Sequence, residues 1–208
     1  MRVRVTFSKQ GTLRYTGHLD LHKILERSIR RANLPLAYSQ GYHPQPKLHL
    51  AAALPLGFAS RAEVMDIWLN EEVEDIIPAL QANVPPGLTI HDAMEVDERE
   101  PSLQTQVIAA EYQIQITEAD NRTELNEKIA SVMESESILR ERRSKKYDLR
   151  PLIEELTLTS GSSLFMRLTA REGATGRPEE VLEVLGIPLE DTHIERVNLI
   201  FKEHEFAR

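Results

Sequence analysis

The chain has no cysteine. That absence excludes disulfides, a thiol nucleophile, cysteine-ligated zinc and an iron–sulfur cluster held by this chain, so any such group would come from a partner. No apolar run approaches the roughly 18 to 20 residues that span a bilayer. The opening Met1-Arg2-Val3-Arg4-Val5-Thr6-Phe7 alternates like a strand, where a signal peptide would run continuously apolar. A cytoplasmic protein is the expectation. The glycine-containing stretch Arg171-Glu172-Gly173-Ala174-Thr175-Gly176-Arg177-Pro178 lacks the Gly-Lys-Ser/Thr ending of a phosphate loop, so nucleotide hydrolysis is not supported. Aromatic residues make up only 5% of the chain, so each ring in a polar stretch invites attention.

What is present is the composition of a folded protein: 208 residues, 41% hydrophobic and 28% charged, enough for one large domain or two small ones. The net charge of −8 conceals an asymmetry. Residues 1–50 carry nine Lys/Arg against two acidic residues, Asp20 and Glu26, whereas residues 51–208 carry sixteen against thirty-one. Local potential, not the total, steers a polyanion, so an acidic protein with one basic face can still bind nucleic acid there. The bland alternative is that the basic segment pairs with the acidic remainder.

Periodicity divides the chain into two similar halves. Val3, Val5 and Phe7 alternate with Arg4 and Thr6 in a first strand with one apolar face. A helix over Leu19–Asn33, ended by Pro35, places Leu21, Leu25, Ser28, Ile29 and Ala32 on one side. Short strands at Leu36–Ser39 and Leu48–Leu54, a strand at Glu63–Leu69, a helix over Glu71–Asn83 and a strand at Leu88–Met94 complete the first half. Asp97–Ser102 is the linker candidate. Beyond it come strands at Val107–Thr117, Ile138–Arg143, Ile153–Thr159, Leu164–Ala170 and Ile194–Phe201. Helices are expected over Ala119–Glu134 and Pro178–Leu185, and Ser160-Gly161-Ser162 reads as a turn. Each half reads strand–helix–strands–helix–strand. The expected fold is therefore α+β: tandem ferredoxin-like (split βαβ) domains at 1–96 and 103–208, with antiparallel sheets covered by helices on one face.

Three stretches carry the chemistry. Lys23, Arg27, Arg30 and Arg31 stand at i, i+4, i+7 and i+8 of the first helix, opposite its apolar stripe. Four cations on one face repel unless an anion relieves them. Glu26 offsets Arg30 by only a few tenths of a kcal/mol, and a phosphate backbone would do more. The loop Gly41-Tyr42-His43-Pro44-Gln45-Pro46-Lys47 is stiffened by two prolines and presents Tyr42, His43 and Lys47 as a stacking ring and two donors, a pattern suited to a single strand. Arg14 and His18 precede the helix and join the candidate surface. A second basic cluster comprises Arg140, Arg142, Arg143, Lys145, Lys146 and Arg150. His18 and His22 have the i, i+4 spacing of a zinc helix, but Leu19 replaces the glutamate that follows the first histidine there, so no metal site is expected.

Gly11-Thr12-Leu13-Arg14-Tyr15-Thr16-Gly17-His18-Leu19-Asp20, Glu26–Ala32, Tyr38–Lys47 and Leu54-Pro55-Leu56-Gly57 with Ser60 and Glu63 resemble the bacterial family of radical SAM-linked proteins, domain of unknown function 2344. The likeness is specific through residue 66 and looser beyond, where it includes Tyr147–Pro151 and Gly176–Glu179. It implies a radical SAM enzyme as partner, which would hold the cluster this chain cannot, and an RNA or ribosome setting. No cofactor is implied for this chain itself. Relatives have Asn-Pro-His-Pro where this chain has His43-Pro44-Gln45-Pro46, a departure that favours His18, Asp20, Arg30 and Arg31 as the shared surface. The expected function is an RNA-binding or substrate-presenting accessory protein for a radical SAM enzyme, without catalysis of its own. The alternatives are a metal-independent RNA endonuclease using a histidine near Tyr15 or Tyr42, and a protein-binding adaptor using the acidic second half.

Overall fold

The alternation at the amino terminus forms β1 (Arg2–Lys9), with Val3, Val5 and Phe7 buried in one core. A 3-10 turn over Gly11–Tyr15 leads into α1 (His18–Arg31), which adds Leu21, Leu25 and Ile29 to that core and buries Ser28 beside them. α1 ends before Pro35 can act. Asn33 adopts left-handed backbone (φ 54°), its amide reaches the Arg30 carbonyl at 3.1 Å, and the Leu34 amide reaches the Ile29 carbonyl at 3.2 Å. This is a Schellman ending, so the proline follows a stop already made.

β2 (Leu48–Leu50), β3 (Ala59–Trp68), α2 (Ile76–Gln81) and β4 (Leu88–Val96) follow. The strands lie in the order β4-β1-β3-β2, every neighbouring pair antiparallel. Two expectations are corrected here. Leu36–Ser39 is not a strand but makes isolated bridges, Leu36 with Leu69 and Tyr38 with Pro46. Pro35, Pro44 and Pro46 remove the amides a longer ladder needs. The second helix begins at Ile76 rather than Glu71, because Pro78 is tolerated only in a first turn; Asp75 before it is left-handed at φ 55°.

The structure is a computed structural model that describes residues 1–117, 122–142, 144–159 and 163–202. These form two compact units, Met1–Val107 and Ile108–Arg208. The first ends in α3 (Leu103–Gln106), whose Gln106 side chain donates to the Pro101 carbonyl at 2.7 Å. The second unit contains β5 (Val107–Ile116), α4 (Arg122–Glu134), the separate hairpin β6 (Leu139–Arg142) and β7 (Lys145–Asp148), β8 (Ile153–Leu158), β9 (Ser163–Arg171), β10 (Ala174–Thr175), α5 (Pro178–Leu185) and β11 (Thr192–Phe201). Its sheet runs β10-β9-β5-β11, with β8 also on β9, and the β5–β9 and β8–β9 pairs are antiparallel. Residues 119–121, the expected turn 160–162 and Arg143 lie outside the described residues. The architecture is mixed α/β, with antiparallel-rich sheets and helices.

The second face of β1 departs most from expectation. Arg2 and Arg4 sit opposite Trp68 and Asp66 of β3, and neither arginine faces open water: Arg2 is 1% exposed and Arg4 17%. Asp66, fully buried, accepts from Arg2 Nε at 2.9 Å and Nη2 at 2.5 Å, and from Arg4 Nε at 2.9 Å and Nη2 at 3.1 Å. Arg2 also donates to the carbonyls of Glu100 and Pro101 and lies over the Trp68 ring at 5.1 Å, while Arg4 pairs with the Glu100 carboxylate at 3.1 Å. The segment after β4 is thus fastened to the first strand by charge-assisted hydrogen bonds.

One turn depends on a missing side chain. Gly87 has φ +95°, and a Cβ there would lie 2.7 Å from the Gln10 carbonyl oxygen. The Gln10 amide in turn donates to the Gly87 carbonyl at 2.8 Å, tying the turn before β4 to the end of β1. Gly87→Ala is expected to destabilise the fold by about 1–3 kcal/mol, read as a lowered urea midpoint at unchanged slope.

Candidate nucleic-acid interface

α1 presents the cations on the face away from its core. Lys23, Arg27, Arg30 and Arg31 are all exposed. Lys23 meets Asp20 at 3.7 Å, Arg30 meets Glu26 at 3.2 Å, and Arg31 donates to the Asn83 carbonyl at 2.6 Å and to the Ser28 hydroxyl at 3.2 Å. Arg27 makes no hydrogen bond or ion pair among the described residues. Among the described residues, both carboxylates that touch this stripe belong to α1 itself, as surface i,i+3 and i,i+4 pairs worth a few tenths of a kcal/mol. Pairing with the acidic remainder of the chain describes Arg2 and Arg4 but not the helix. Part of the basic character near the carboxyl end also suits the helix dipole, which favours Arg30 and Arg31 in the last turn.

The proline-stiffened loop is joined to this helix. Arg30 Nε donates to the Tyr38 hydroxyl at 2.9 Å, with its guanidinium 5.7 Å from the ring centroid. That bond, then the Tyr38 and Glu26 charges, raises the Arg30 pKa above its already high value. The loop closes on itself through the Ser39 amide to the Gln45 carbonyl (2.8 Å), the Gln45 amide to the Ser39 hydroxyl (2.9 Å) and the Lys47 amide to the Ala37 carbonyl (2.9 Å). At its tip Tyr42 is 99% exposed. His43 and Lys47 are exposed too, and the Lys47 ammonium has no partner among the described residues. A ring held out on a stiff loop beside free cations can stack a base while the cations meet the backbone.

The remaining candidates sit differently. Arg14 belongs to the 3-10 turn: its guanidinium donates to the Tyr15 hydroxyl and lies 4.7 Å from that ring, and its carbonyl accepts from the Gly57 amide at 2.9 Å. His18 is the first residue of α1 and is half-buried. His22 Nε2 lies 3.1 Å from the Leu48 carbonyl oxygen. Among the described residues no group of three or more His, Asp and Glu is placed to hold a metal ion. The second basic cluster is largely engaged. Arg140 pairs with Glu183, Arg142 with Glu180, and Arg150 donates to the carbonyls of Met133 and Ile153.

No local sequence pattern announces the group around Asp66, to which His49 also belongs. His49 meets Trp68 edge-on at 5.0 Å and sits opposite Asp66 in the β2–β3 register. Burial pushes its imidazole below the ordinary range; Asp66 works the other way, and Arg2 and His22 push it further down. The folded chain therefore holds this proton less readily than the unfolded chain. Stability through His49 is present above the ordinary value of about 6.5 and declines as pH falls below it. His49→Asn is expected to flatten that limb of the stability curve. Melting temperatures recorded between about pH 5 and 8 test it, and an unaltered limb would refute it.

An exposed basic helix thus lies beside a proline-stiffened loop with an exposed aromatic ring, next to an antiparallel sheet. The chain belongs to the family of uncharacterised proteins conserved in bacteria, DUF2344, whose model matches residues 2–178. No curated protein matches it. Among solved structures it is similar to a chain of the crystal structure of a Cbf5–Nop10–Gar1 complex, at 9% identity and a TM-score of 0.48. That likeness covers 98% of this chain and 50% of the other, so the chain spans about half the length of that neighbour.

Proposed function

We propose that this protein is a non-catalytic RNA-binding accessory factor that presents single-stranded RNA to a radical SAM enzyme. The observation that carries the RNA part is the stripe of α1, which no carboxylate from elsewhere among the described residues neutralises, lying beside a loop whose Tyr42 is 99% exposed. Single-strand binders combine such a charged track with a ring on which a base stacks. The enzyme partner rests on the resemblance to radical SAM-linked proteins and on the absence of cysteine, which leaves any cluster to another chain. We further read both units as ferredoxin-like. The order β4-β1-β3-β2 supports this for the first, and β11-β5-β9-β8 repeats the order in the second.

The test is fluorescence anisotropy with a labelled single-stranded RNA. Tyr42→Ala is expected to weaken binding by about 1–3 kcal/mol through the lost stack. The melting temperature should not change, because the ring touches nothing that the fold needs. Equal affinity of the variant and the parent would remove the loop from the interface.

A further inference from the structure

The hairpin β6–β7 of the second unit borders a cavity of about 420 Å³, lined by Arg142, Lys145, Tyr147, Asp148, Leu152 and the Gly173–Thr175 turn. We propose that it is a nucleotide pocket, taking one base and its phosphate.

The lining specifies the ligand. Arg142 is held along one edge: Nε and Nη2 donate to the Glu180 carboxylate at 2.9 and 2.6 Å, and Nη2 also reaches the Tyr147 hydroxyl at 3.3 Å. Its guanidinium lies 5.0 Å from the Tyr147 ring centroid. These bonds fix the guanidinium plane in place, and a guanidinium plane is a surface on which a base can stack. Lys145 sits directly opposite Arg142 in the hairpin and has no partner among the described residues. Like charges so placed repel, and Glu180 relieves only the arginine. An anion at Lys145 would complete the pair.

Asp148 supplies the third requirement. Its carboxylate accepts from the Ile138 and Arg150 amides at 2.7 and 3.0 Å. The Ile138 amide, with help from the Arg150 amide and Ser137, holds it below the usual carboxylate range, against its partial burial. Of roughly four acceptor positions on a carboxylate, these contacts leave at least one for a ligand donor such as a ribose hydroxyl or a base amino group. A flat ring, a hydroxyl or amine donor and an anion together describe a nucleotide, and the cavity is of a size that small ligands fill.

The floor is fixed by a close approach. At Gly176 a Cβ would lie 3.0 Å from the Leu152 carbonyl oxygen and 3.3 Å from its Cβ, so glycine lets the turn after β10 pack tightly against Leu152 without displacing it.

The nucleotide is either part of an RNA chain or free in solution, and amide NMR of the full chain separates the two. A nucleoside 5′-monophosphate alone, a short oligouridylate and inorganic phosphate are titrated in turn. Shifts of the amides of Lys145–Asp148 and Gly173–Thr175 with either nucleotide, weakened at least about tenfold by Lys145→Glu, are expected. Shifts with the oligouridylate only would assign the pocket to RNA, and shifts with the monophosphate only to a free nucleotide. Equal shifts with inorganic phosphate, or none with any probe, would overturn the proposal. Shifts caused by the monophosphate, read at Lys145–Asp148 and Gly173–Thr175, report this pocket alone, whereas anisotropy with the single-stranded RNA reports the α1 surface, so failure here and failure of the α1 interface are told apart.

Discussion

Asp66→Ala is expected to lower stability by about 3–5 kcal/mol, the largest effect of any single substitution considered. The carboxylate is fully buried and accepts from four N–H groups on two arginines. Its removal leaves the Arg2 guanidinium, 1% exposed, with carbonyl partners and the Trp68 face but no counter-charge. The penalty of an uncompensated buried charge dominates, so the loss exceeds that of any one hydrogen bond. Arg4→Ala should cost only about 1–2 kcal/mol, since Arg4 is partly exposed and Asp66 keeps Arg2. Urea unfolding at equal slope compares the two. A loss below about 1 kcal/mol for Asp66→Ala would show that the group contributes little to the fold.

The second large effect concerns binding. Arg27→Ala combined with Arg30→Ala is expected to weaken single-stranded RNA binding by about tenfold or more at moderate salt. The two residues act differently. Arg27 has no partner among the described residues, so its removal subtracts charge and should leave stability within about 0.5 kcal/mol. Arg30 also anchors the loop through Tyr38, so its loss both removes a cation and frees the ring-bearing segment. Arg30→Lys keeps charge but loses the planar contact, and should fall between the parent and the alanine variant. Anisotropy on the parent, the two single alanine variants, their combination and Arg30→Lys separates charge from positioning.

Much of the first unit was legible because its periodicities are simple. Val3, Val5 and Phe7 announced β1, and Leu21, Leu25, Ser28 and Ile29 announced the buried side of α1 and so the exposed side opposite. What escaped was long-range pairing. Arg2 and Arg4 read as the watered face of an amphipathic strand, yet their partners lie more than sixty residues away on β3 and past β4. No local pattern carries that information. The same limit explains the charge count. Nine cations in the first fifty residues suggested one basic face, but Arg2, Arg4 and the fully buried Lys9 do not contribute to it. The helix is the part that remains. Proline positions were informative twice: misread at Pro35, where Asn33 had already ended the helix, and overlooked at Pro78, which fixed where α2 could begin.

On the proposed function the α1 stripe is positive potential left open to a polyanion, and salt dependence measures that directly. The affinity of the parent for a single-stranded RNA should fall log-linearly with salt, by about 0.7 per phosphate contacted, and the slope of the Arg27→Ala, Arg30→Ala protein should be shallower by about 1.4. A parent that binds no RNA, or two proteins with the same slope, would contradict it.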